Sequence, residues 1–101
     1  MFDKIKDGDL VTLKLASGEE VIAKFTGKAD TYVSIEKALV LMNGPQGLAF
    51  GTFFFTVKQD VPFDIAMNKI VSIAHINDKI ADEYNRVFST IKTPDKPKII
   101  T

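Results

Sequence analysis

The chain has 101 residues, 46% hydrophobic and 26% charged, a composition that suits one globular domain with a modest core and excludes a disordered polymer. Thirteen basic residues cancel thirteen acidic ones, which excludes the strong, unspecific grip on duplex DNA or an anionic membrane that a basic excess gives. With no cysteine there is neither a disulfide framework nor a thiolate metal site, and no metal or cofactor is expected.

MFDKIKDGDL holds no apolar core of a secretory signal, and no run of eighteen apolar residues occurs, so a cytoplasmic protein without a membrane partner is expected. From Asp9 to Leu15 the sequence alternates, setting Leu10, Thr12 and Lys14 against Val11, Leu13 and Leu15. Ala16-Ser17-Gly18-Glu19 predicts a tight hairpin. Glu20 to Thr26 places Val21, Ala23 and Phe25 on one face, with Ile22 and Lys24 on the other. Gly27-Lys28-Ala29-Asp30 predicts a second turn, and Tyr32 to Met42 a long third strand.

Asn43-Gly44-Pro45-Gln46-Gly47 is the strongest loop signal. Leu48 to Val57 predicts a strand, since phenylalanine and threonine suit a pleated surface. Lys58 to Pro62 is a polar break. Phe63 to Ala66 resumes the sheet, Met67-Asn68-Lys69 turns, and Ile70 to Ile76 is the last strand. Beyond it Ile76, Ile80, Tyr84, Val87, Phe88 and Ile91 recur at helical spacing, with Asn77 as N-cap and Asp78 in the first turn.

The expected architecture is therefore all-β with one appended helix. Five short, strongly bent strands, the fourth broken, curl into a small barrel, which removes most exposed edges. A single domain over 1–93 is expected, with strands over about 9–76, a helix over about 77–91 and a loose tail over 94–101. Phe53 and Phe55 face one way and Phe54 the other, so both faces are apolar there. One face fills the barrel. The other needs the helix or a neighbouring subunit, and oligomerisation is the favoured reading.

Candidate chemistry is sparse. His75 is the lone histidine, Asp7 and Asp9 flank Gly8 in a charged turn, and Glu19-Glu20 sits in a hairpin. No nucleophile elbow, phosphate loop or HExxH pattern is present, so an enzyme is not expected. Binding suits the residues better. The Gly27–Asp30 turn sets Lys28 and Asp30 beside Tyr32, and an aromatic ring near a lysine can stack one unpaired base. The plainer alternative, which composition favours, is a hairpin turn with a capping aspartate and a tyrosine lying over the barrel. Asn68-Lys69 has the same two readings.

The stretch GDLVTLKLASGEEVIAKFTGKADTYVS, Gly8 to Ser34, resembles the first sequence motif of the Sm-like (LSm and Hfq) family. IAMNKIVSI, Ile65 to Ile73, resembles a degenerate second motif, and the whole looks like the small Sm-like proteins of putative cyanophage origin. The resemblance implies a bent five-stranded barrel of the SH3 type. It also implies a homo-oligomeric ring of roughly five to seven subunits, formed by pairing the fourth strand of one copy with the fifth of the next. Phe53, Phe54, Phe55, Ile70 and Ile73 would then lie at the interface. The implied function is non-catalytic binding of single-stranded RNA, or DNA, in the cytoplasm of the host cell if the gene is a phage's.

On the matching positions, Tyr32 stacks a base, Asp30 braces the loop, and Ser34 stands where the family reads the base with asparagine. Ala66-Met67 replaces Arg-Gly, leaving Lys28, Asn68 and Lys69 to supply polar contacts and charge without planar stacking. The rival reading is a scaffold ring that works through protein contacts and whose nucleic-acid site has decayed.

Overall fold

A computed structural model describes residues 2–53, 56, 58 and 60–92, the side chains of 89–92 excepted. In chain order the strands are β1 (Leu10–Leu15), β2 (Glu20–Lys28), β3 (Tyr32–Gly44), β4 (Gly47–Thr52), β5 (Phe63–Ala66) and β6 (Ile70–His75). A short 3-10 turn, Met67–Lys69, links β5 to β6, and one helix, α1 (Asp78–Lys92), follows. Every pairing is antiparallel, in the order β4-β3-β2-β1-β6, with β5 also against β3. The molecule is thus a mostly antiparallel sheet with a single C-terminal helix.

The fourth strand is broken, as its polar interruption predicts, but the break comes earlier than the sequence suggests. The run expected over Leu48–Val57 ends at Thr52, and pairing resumes at Phe63. The cause lies in β3. Its later half pairs with β4, from Leu39↔Thr52 to Gly44↔Gly47, and its earlier half with β5, from Tyr32↔Ala66 to Ile35↔Phe63. Between the halves Lys37 takes a φ of 54°, and the register against β2 jumps from Ile22↔Leu39 to Lys24↔Glu36. Such a bulge bends and twists its strand. A straight partner cannot follow both halves of a bent strand, so the neighbour comes in two pieces.

The bulge also resets the side-chain alternation. Val33 and Ile35 are buried, and the next inward residue is Ala38 rather than Lys37. These three join Val11, Leu13, Val21, Phe25 and Ile73 in the core on one side of the sheet. Leu39 turns to the other side. There it meets Ile22 and the helix residues Tyr84 and Phe88, with Leu10, Phe50 and Ile80 around them.

The helix therefore covers the outer face from within the same chain. Helix cover, one of the two covers that the sequence allowed, encloses Ile22, Leu39 and Phe50. Phe54 and Phe55, which raised the need for cover, lie outside the described residues, as does the predicted tail over 94–101.

Local signals decide the joints. Asn77 caps α1 as predicted, its Oδ1 accepting from the Ile80 amide at 2.9 Å. Two turns are shorter than expected. In the Asn43–Gly47 segment only Pro45 and Gln46 turn, because Gly47 at φ 111° closes a two-residue hairpin and lets Gly44 pair. In the Gly27–Asp30 segment β2 continues to Lys28, the register slipping between Phe25 and Gly27, and the turn proper is Ala29–Thr31.

Candidate nucleic-acid interface

Tyr32 opens β3, and the residue is 39% exposed because Val33 and Ile35 take the inward positions. Alternation leaves Tyr32 and Ser34 on the outer face, opposite Ala66 and Asp64 of β5. The Ala29 amide closes the turn by donating to the Tyr32 carbonyl at 2.9 Å. A second bond does more, as the Met67 amide donates to the Thr31 carbonyl at 2.8 Å and ties the β2–β3 turn to the 3-10 turn. Asp30 and Thr31 consequently share a concavity of about 340 Å3 with Ala66, Met67 and Asn68. Among the described residues its lining holds a carboxylate and an amide but no lysine or arginine.

The other expected contacts disperse. Ser34 accepts a hydrogen bond at 2.9 Å from the Thr26 hydroxyl, on the strand next to it. Lys28 reaches the N-terminal segment, where its Nζ lies 5.6 Å from the centre of the Phe2 ring in a cation–π contact. Lys69 lines a separate cavity of about 700 Å3 with Ser17, Glu19, Phe53 and Asp64, and its carbonyl accepts from the Ala16 amide at 2.8 Å. Ala66 borders both hollows. The structure thus brings Asp30 and Asn68 to one hollow, with Tyr32 paired to Ala66 at its border, and sends Lys28 and Lys69 elsewhere.

The predicted interface residues fall within the subunit where they are described. Phe53 stacks on Phe63, with ring centres 6.2 Å apart. Ile70 and Ile73 are buried in the chain's own core, so what β6 turns outward is Val71, 63% exposed. Phe54 and Phe55 are outside the described residues.

Two polar features escaped the sequence reading. The Tyr84 hydroxyl donates at 2.6 Å to the carbonyl of Lys37, pinning the helix to the β3 bulge. Burial, with help from the Glu36 charge, pushes that phenol above its ordinary value. His75 and Asp9, read separately, meet at 2.9 Å where the residue before β1 reaches the end of β6. The Lys6 amide, donating to Asp9 at 2.9 Å, holds that carboxyl below the usual aspartate range, and His75 adds to the effect. The Asp64 carboxylate could have been foreseen, since it alternates with the partly buried Phe63 and Ile65.

Among the described residues no three histidine, aspartate or glutamate side chains converge as a metal site, and no helix is long and apolar enough to cross a membrane. No protein-family model matches the chain, and no curated protein matches it.

Proposed function

We propose that this chain is a non-catalytic Sm-like protein that assembles into a homo-oligomeric ring and binds single-stranded RNA or DNA. The observation that carries the reading is the bond joining the Thr31 carbonyl to the Met67 amide. It sets an aspartate and an asparagine from two distant segments around one small hollow, with the exposed Tyr32 next in the chain and paired with Ala66 of the hollow's lining. A ring that can stack and groups that can address a base edge are the parts that recognition of an unpaired base requires.

Ring formation draws support from the edges. The strand order ends in β4 on one side and β6 on the other, and β5 has β3 as its one partner among the described residues. An unpaired edge is a template for another strand. Pairing the β4–β5 edge of one copy with the β6 edge of the next is a heterologous contact that closes when the rotation divides a full turn. Val71 and Leu48, 63% and 61% exposed, stand on these edges and gain cover from such pairing.

A second reading, a scaffold ring acting through protein contacts alone, is favoured by Ser34, whose hydroxyl is already engaged by Thr26, and by the acidic surroundings of Tyr32. Fluorescence anisotropy with labelled oligo-U, oligo-A and single-stranded DNA separates the two. Binding should weaken about 5- to 150-fold in Tyr32→Ala, the loss of one stacked base. The melting temperature should barely move, because the ring is exposed. Absence of binding by the parent protein selects the scaffold, and equal binding by the variant removes Tyr32 from the site.

A further inference from the structure

The hollow beside Tyr32 has a particular polarity. Its side-chain hydrogen-bonding groups are the Asp30 carboxylate, the Thr31 hydroxyl and the Asn68 amide, and neither the carboxylate nor the amide has a hydrogen-bond or ion-pair partner among the described residues. A carboxylate is an acceptor only, with two oxygens side by side, whereas an amide can turn its NH2 group forward. The carboxylate and the amide together offer two adjacent acceptors and one donor, and the Thr31 hydroxyl can serve in either sense.

Only one common base offers the complement along its Watson–Crick edge. Guanine carries two neighbouring donors, N1–H and the N2 amino group, and then the O6 acceptor. Uracil has a single donor between two carbonyl oxygens, so a carboxylate placed there faces at least one repelling oxygen. Cytosine and adenine each offer one amino donor beside an acceptor nitrogen. We propose that the Asp30–Asn68 hollow selects guanine in a single strand, Asp30 accepting from N1–H and N2–H and Asn68 donating to O6, while Tyr32 stacks a neighbouring base. This rests on the single-strand reading above and fixes which base it favours. The carboxylate also repels phosphate, which keeps the strand's backbone on the open side of the hollow and the base inside it.

The test is anisotropy with uridine pentanucleotides whose central residue is guanosine, uridine, adenosine, cytidine or inosine. The guanosine strand should bind at least about fivefold tighter than the other standard bases, as a bidentate base contact provides. Inosine, which lacks the N2 amino group, should lose much of that margin. Asp30→Asn should lose the preference, its guanosine-to-uridine affinity ratio falling toward one. Free guanosine 5′-monophosphate distinguishes the source: weaker binding than the guanosine strand supports the strand ligand, and equal binding overturns it in favour of the free nucleotide. Equal or tighter binding of the uridine or adenosine strand by the parent protein overturns guanine selection, as does an undiminished preference in Asp30→Asn. Failure to bind any strand overturns the single-strand reading itself, and guanine selection with it.

Discussion

Tyr84 meets two demands at one position. Its ring lies between the helix and the outer face of the sheet, packed on Phe88 with centres 4.8 Å apart. Its hydroxyl satisfies a carbonyl at the point where β3 breaks its alternation. Tyr84→Phe keeps the ring and strands the carbonyl, so urea denaturation should show a loss of about 1–2 kcal/mol. The phenol also makes stability depend on alkaline pH. Below the ordinary value of 10.0 the group is neutral in both states and its contribution is complete. Above it the unfolded chain releases the proton while the buried phenol holds on, so stability falls as pH rises. Denaturation midpoints compared at about pH 9 and 11 should fall more steeply for the parent than for Tyr84→Phe. The sequence marks Tyr84 as helical and apolar-facing. It gives no hint that its partner is a backbone oxygen 47 residues away.

At the scale of elements, β1 and β2 were legible because alternation sorts their residues between two faces: Val11, Leu13, Val21 and Ala23 are within 1% of full burial in one core, and Ile22 is buried in the other under the helix. The helix was legible from its stripe and its Asn77 cap. The bulge in β3 was not, since a lysine at positive φ leaves no local signal, and the split of the next strand depends on that bend. In the candidate site, Tyr32 and Asp30 could be placed from the turn and the strand that follows it. The separation of Lys28 and Lys69 could not, because it follows from where Phe2 and the Ser17–Glu19 hairpin come to rest. The helix itself is the cover of a second apolar face. Phe88→Ala removes a large side chain from beneath it and should cost about 3–5 kcal/mol. A dye that fluoresces on apolar surfaces should brighten with that variant as Ile22 and Leu39 gain access to solvent; an unchanged midpoint and an unchanged signal would show that the helix does not hold this face closed.

At the scale of the molecule, the chain covers its core and its outer face but, among the described residues, leaves the β4 and β6 ends of its sheet unpaired. At high concentration such edges favour either aggregation or a closed assembly, and the closed assembly proposed above would repeat the Tyr32 hollow around one axis, where several weak base contacts act on one strand. Net charge does not oppose it, since thirteen positive and thirteen negative groups cancel in every copy. Single-strand binding, guanine selection and avidity all gain from that geometry, so the assembly is the claim to test first. Size-exclusion chromatography with multi-angle light scattering measures it directly. The predicted result is one species of roughly five to seven times the 11.2 kDa chain mass, unchanged on dilution. A single sharp peak at 11.2 kDa across the same concentrations would contradict the ring.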